Sequence, residues 1–145
     1  MIDDLYQQII IDHSRKPRNF GPMEDANAKA EGFNPLCGDR LTVELKLEND
    51  LVKDARFIGT GCAISVASAS LLTDALKGKS REQAEKIFAG YHELLTQENA
   101  QPQDLGKLAV FSGVREYPAR VKCAALALHT LRAALEQTGE PVSTE

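Results

Sequence analysis

Cysteine is scarce in this chain: three among 145 residues, an odd number that cannot be paired off internally. Such a count argues against a disulfide framework and for a reducing compartment, with thiols that are free or metal-bound. Basic clusters are missing too. Lysine and arginine total 17 against 21 acidic residues, the formal net charge is −4, and no basic run forms. Phosphate neutralisation needs clustered cations, so nucleic acid is not an expected partner. The acidic balance fits a small cytoplasmic protein that meets other proteins. No apolar segment approaches the roughly 20 residues that cross a bilayer. The opening Met1-Ile2-Asp3-Asp4 has no basic region followed by an apolar stretch, so neither secretion nor membrane insertion is expected. A Ser/His/Asp order, a P-loop, a dinucleotide fingerprint, a His-Glu-x-x-His pattern and internal repeats are all absent. What is present is 43% hydrophobic and 26% charged residues, ordinary for one globular domain over residues 1–145.

Several elements announce themselves by period. Ile2, Leu5, Tyr6, Ile9, Ile10 and His13 recur at helical spacing, so residues 2–14 are expected to form an amphipathic helix. Lys16-Pro17-Arg18-Asn19-Phe20-Gly21-Pro22 ends it, and an irregular segment is expected as far as Gly38. Leu41, Val43, Leu45 and Leu47 alternate with Thr42, Glu44, Lys46 and Glu48, which predicts a half-buried strand. Asn49-Asp50 signals a turn into a second, antiparallel strand at about 51–58. From Ala63 to Leu76 the only charge is Asp74, the mark of a helix buried on most sides, with Gly78 as its cap. Ser80 and Gln83 form a capping-box pattern opening a helix to about 96, with Ala84, Ile87, Phe88 and Tyr91 inward. Residues 97–117 are less regular; a short helix over 104–111 is expected to break at Ser112-Gly113. Pro118 suits the first position of a last helix reaching about Gln137, and 138–145 reads as a frayed tail. The order predicts an α+β fold, with helices on one face of a small antiparallel sheet of about three strands.

The chemistry concentrates in loops at 34–39, 59–65 and 118–123. In Asn34-Pro35-Leu36-Cys37-Gly38-Asp39, Pro35 and Gly38 oppose helix or regular strand, so a thiol and a carboxylate can turn to one point. Cys62 follows Gly59-Thr60-Gly61 at a predicted helix start, where free amides and the helix dipole favour its thiolate. Cys123 lies inside the last helix. Three thiolates and one carboxylate can complete a tetrahedral shell around zinc or a similar ion. Spacing by itself is weak support, because the cysteines lie 25 and 61 positions apart and no Cys-x-x-Cys occurs. The rival reading is core filling. It has most force at Cys123, which shares a helix face with Ala119, Leu126, Ala127 and Thr130. It has less force at Cys62 and least at Cys37. Asp39 has its own rival, an ordinary turn aspartate. As a ligand it would be harder and more exchangeable than thiolate, suiting a site that must open. Cys₃Asp around a divalent ion leaves a formal charge of about −2. Arg120, three residues before Cys123, could offset part of it; Lys122 reads as a surface residue. His13, His92 and His129 are poor ligand candidates.

At these residues the chain resembles the U-type iron–sulfur cluster assembly proteins, the SufU/IscU family, over nearly its whole length. The resemblance is carried by Asp12-His13 with Pro17-Arg18-Asn19-Phe20-Gly21, by Asn34-Pro35-Leu36-Cys37-Gly38-Asp39, by Gly59-Thr60-Gly61-Cys62-Ala63-Ile64-Ser65 and by Arg120-Val121-Lys122-Cys123. Within the family it is nearer the SufU branch: IscU-like members have histidine where this chain has Lys122, and residues 106–118 resemble the SufU insertion. The resemblance implies zinc on Cys37, Asp39, Cys62 and Cys123, and a pyridoxal-phosphate cysteine desulfurase as partner. It implies that Cys37 accepts sulfur as a persulfide for downstream assembly or acceptor proteins. The expected role is thus a zinc-dependent sulfur acceptor, sulfurtransferase-like rather than a conventional enzyme, with Cys37 and Arg120 at the reacting centre. The alternative is a scaffold on which the same residues bind iron and a [2Fe–2S] cluster is built and passed on.

Overall fold

The computed structural model describes residues 4–35, 37–97, 105–137 and 142–143. Helix α1 (Asp4–Arg15) is followed by strands β1 (Ala28–Asn34), β2 (Asp39–Glu48) and β3 (Leu51–Thr60). Helices α2 (Ala63–Leu76) and α3 (Arg81–Thr96) come next. A 3₁₀ helix (Gly106–Glu116), helix α4 (Pro118–Glu136) and strand β4 (Val142–Ser143) complete the order. The sheet runs β3-β2-β1-β4; the first three strands are antiparallel and the two-residue β4 adds parallel to β1. This is the expected α+β architecture, with one short edge strand more than the predicted three.

The period-2 pattern of β2 is met by burial: Leu41, Val43 and Leu45 face the core. Asn49 and Asp50 both sit at positive φ, 51° and 65°, as a two-residue hairpin turn matched to the strand twist requires. Helix α2 is buried on most sides, and its small residues let α4 lie alongside. Two of its hydroxyls bond to backbone: Ser68 Oγ donates to the Ala124 carbonyl at 2.7 Å, and Thr73 Oγ1 donates back to Ala69 at 2.7 Å. Both bonds of the predicted capping box at Ser80 and Gln83 form, and Gly78 takes the left-handed conformation after the end of α2. Pro118 is the first residue of α4, as expected.

Four expectations need correction. The segment before Gly38 is not irregular throughout, because Ala28–Asn34 is β1. Its inward residues are Ala28, Ala30, Gly32 and Asn34, too small or too polar to display an apolar alternation. They are small because α4 presses on them: a Cβ at Gly32 would collide with the side chain of Thr130 and crowd Leu126. Ser112-Gly113 does not break the connecting helix, which continues as 3₁₀ to Glu116. Leu108, Phe111 and Val114, three apart, align on one buried face of that tighter helix. Leu5 points outward rather than in, at 60% exposure; Ile2 lies outside the described residues. The tail contains the strand Val142–Ser143, paired with Gly32 and Phe33; 138–141, 144 and 145 lie outside the described residues, as does Asp104.

The stretch between α1 and β1 is fastened to the domain at successive points. His13 Nδ1 and the Arg18 amide both meet Ser70 Oγ on α2, at 2.7 and 2.8 Å. Asn19 donates to Thr73 Oγ1 at 3.1 Å, and Phe20 pairs with Phe57 at the β3 edge. The Pro-Arg-Asn-Phe-Gly motif is therefore a strap holding α1, α2 and β3 together. No helix among the described residues is long and apolar enough to cross a membrane.

Candidate metal centre

The antiparallel register sets the first half of the site. Asn34, the last residue of β1, is paired with Asp39, the first of β2, so the two strand ends lie side by side. The Asn34 carbonyl accepts the amides of both Cys37 (3.3 Å) and Gly38 (2.9 Å), and Gly38 has φ +71°. This turn leaves Cys37 exposed while Asp39 is fully buried. A turn aspartate would sit in solvent, so burial disfavours that rival reading of Asp39.

The second half comes from two helix starts. Strand β3 ends at Thr60, and Gly61 lets the chain pass directly over the Asp39 carboxylate. Cys62 is the N-cap of α2, and its amide donates to Asp39 Oδ1 at 2.8 Å. Its Sγ lies 4.0 Å from Asp39 Oδ2. Cys123, in the second turn of α4, is fully buried, yet its sulfur does not face hydrocarbon alone: it lies 3.5 Å from Cys37 Sγ and 3.7 Å from Asn34 Nδ2.

One ligand atom from each of Cys37, Asp39 and Cys123 lies within 4.8 Å of the others. Cys62 stands beside this triple, through Asp39, rather than inside it. Zinc–sulfur bonds of about 2.3 Å in a tetrahedron put two sulfurs roughly 3.8 Å apart. The 3.5 Å between Cys37 and Cys123 is close to that, so the donor set fits a thiophilic ion. No such convergence is expected if the three thiols are separate core fillers.

The electrostatics point the same way. Burial pushes the Cys123 thiol pKa well up, and hydrogen bonding with Cys62, Asp39 and Cys37 adds to the shift. A crowded, anion-rich pocket of this kind favours a cation that takes the protons' place. Arg120 is exposed at the mouth and its pKa is raised, first by a hydrogen bond to Cys123 and then by the charge of Cys62. Arg120 and the thiols thus share one electrostatic environment, with Arg120 three residues before Cys123 on α4. The histidines are elsewhere: His13 is buried against Ser70, and the rings of His92 and His129 stack edge to face 6.0 Å apart. Two residues of the site had no role in the sequence reading, Asn34 and Gly61. The only signal for them is their place within the cysteine loops.

The NifU-like N terminal domain family matches residues 5–124. The chain belongs to that family. Among similar proteins, the zinc-dependent sulfurtransferase SufU of Bacillus subtilis is 42% identical over 131 residues, 90% of this chain and 88% of that protein. The iron–sulfur cluster assembly scaffold protein IscU of Streptococcus pyogenes is 36% identical over 138 residues, 94% of this chain and 86% of that one. A crystal structure from Fervidobacterium islandicum, described as a candidate iron–sulfur cluster assembly scaffold for the SUF system, superposes with TM-score 0.84 at 33% identity. That match covers 88% of this chain and 94% of the other. This NifU-like domain is therefore an iron–sulfur cluster assembly protein of the SufU and IscU type, with a possible metal-binding group of cysteine and aspartate.

Proposed function

We propose that this NifU-like domain is a zinc-dependent sulfur acceptor, taking persulfide sulfur from a pyridoxal-phosphate cysteine desulfurase for iron–sulfur cluster synthesis. The observation that carries the reading is the approach of Cys37, Asp39 and Cys123 to one point, with Cys62 alongside. These four would hold the metal. Zinc, when bound, supplies charge that keeps the thiols deprotonated at neutral pH. Cys37 is the acceptor because it is the exposed member of the three cysteines, on a turn flanked by Pro35 and Gly38. Its sulfur attacks the outer sulfur of the partner's persulfide. A new sulfur–sulfur bond forms on Cys37, the partner's sulfur–sulfur bond breaks, and the partner cysteine leaves as thiolate with the electron pair. Arg120 lies where it can offset the anionic charge. Lys122 in the position before Cys123 and the 3₁₀ helix Gly106–Glu116 before α4 support the SufU-like rather than the IscU-like role.

A second reading, a scaffold for a [2Fe–2S] cluster, is favoured by the relatives named IscU and by the exchangeable Asp39 in the donor set. Desulfurase turnover separates the two. Colourless protein with one zinc that strongly stimulates turnover, and a Cys37→Ala variant that folds but accepts no sulfur, are expected. Undiminished acceptance by Cys37→Ala would refute the assignment of Cys37. A reconstituted visible absorption band with cluster delivery to an apo-acceptor would favour the scaffold.

A further inference from the structure

Asn34 meets Cys37, Asp39 and Cys123 without being one of the donors of the centre. It is fully buried at the end of β1. Its backbone carbonyl closes the turn that carries Cys37. Its side-chain amide Nδ2 points at two ligand atoms at once, Asp39 Oδ2 at 3.4 Å and Cys123 Sγ at 3.7 Å. Its Oδ1 is buried with no hydrogen-bond partner among the described residues. The side-chain orientation follows from the neighbours. Turned over, the carbonyl oxygen would face a carboxylate and a sulfur, both rich in negative charge, and the amide would donate to neither. An unpaired buried oxygen is costly, and a chain that keeps one here keeps it for what the other end of the amide does.

The bonds of Asn34 are also unequal among the ligands. Asp39 is held twice, by Asn34 at Oδ2 and by the Cys62 amide at Oδ1. Cys123 is held by Asn34 and by its own helix, where its sulfur meets the Ala119 carbonyl at 3.5 Å. Among the described residues, the Cys37 sulfur has only Cys123 as a hydrogen-bond neighbour.

We propose that Asn34 is a positioning residue: its side-chain amide keeps Asp39 and Cys123 in the metal site, and so makes Cys37 the ligand that leaves. This rests on the metal reading above. Outer hydrogen bonds to metal ligands are typically worth about 10–100-fold in affinity, and a donor shared by a carboxylate and a thiolate acts on both.

The test compares wild type with Asn34→Leu, which keeps the volume without polar atoms, and Asn34→Asp, which keeps the shape but replaces the donor by an acceptor. The backbone turn survives in both. Zinc affinity is read by competition with a chromophoric chelator, and the order of thiol alkylation in zinc-loaded protein by peptide mass. Wild type is expected to alkylate first at Cys37. Both variants are expected to bind zinc about 10–100-fold more weakly and to lose the preference for Cys37 over Cys123. Asn34→Asp, with the smaller change of shape, decides the matter if Asn34→Leu fails to fold. A folded variant with wild-type affinity and wild-type alkylation order overturns the inference alone. Wild-type protein that takes up no zinc through its thiols overturns the metal reading and this inference with it.

Discussion

Replacing Gly61 by alanine adds one methyl group to the centre and should damage it more than its size suggests. Gly61 does not need glycine for its backbone, since its φ is not in the left-handed region. What it needs is space. An added Cβ would lie 2.5 Å from Asp39 Oδ1 and 3.1 Å from the Asp39 Cβ and Cγ. Asp39 is completely buried at the start of β2, so the carboxylate can move only by giving up the bond from the Cys62 amide. A hydrogen bond to a charged group is worth about 1.5–3 kcal/mol, and overpacking costs typically about 1–3 kcal/mol. Part of the strain relaxes as the bond breaks, so the two do not simply add. The expected loss is about 2–4 kcal/mol in urea unfolding of metal-free protein, together with weaker zinc binding in a competition assay. Gly38→Ala is the matched control. Its Cβ would meet nothing within 4 Å, and only its positive φ opposes the change, for about 1–2 kcal/mol. Gly61→Ala as stable and as zinc-competent as wild type would refute the claim that Asp39 is clamped between β2 and the start of α2.

Two further outcomes follow from the rest of the molecule. Burial at the α1–α2 contact, and secondly the charge of Arg18, lower the pKa of His13; Lys107 adds to this, while Asp12 and Asp74 oppose it. The folded state therefore holds His13 neutral, whereas the unfolded chain takes a proton near 6.5. Its stabilising effect is complete above pH 6.5 and is lost as pH falls through 6.5 towards the lowered folded value. Urea unfolding between pH 7.5 and 5 should show a smaller decline for His13→Gln than for wild type, and identical slopes would sink this account. Removing metal with a chelator should lower the melting temperature and loosen the Cys37 turn while the far-ultraviolet helix signal persists, because the core is built without the centre. Collapse of that signal on chelation would show that the core depends on the metal.

Elements that carry their own local signal were legible from the sequence, and elements shaped by a neighbour were not. The β2 alternation, the Ser80–Gln83 capping box and Pro118 at the head of α4 each state their structure within a few residues, and each forms. Strand β1 does not, because its inward positions were shrunk to fit α4: Gly32 is small on account of Thr130, about a hundred residues later. The 3₁₀ helix hides its period of three behind a glycine that reads as a breaker. The same division runs through the centre. Cys37, Asp39, Cys62 and Cys123 stand out as donor types in loops and at helix starts, and so could be named from the chain. Asn34 and Gly61 hold no donor for a metal; their part depends on β1, β2 and α2 ending at one corner of the sheet. That corner also bears on why Cys37 is the acceptor proposed above. A ligand at a helix start or a strand start is held by the element behind it, as Cys62, Cys123 and Asp39 are. Cys37 sits on the connection between two strand ends, where a thiol can swing outward while the sheet and both helices stay where they are.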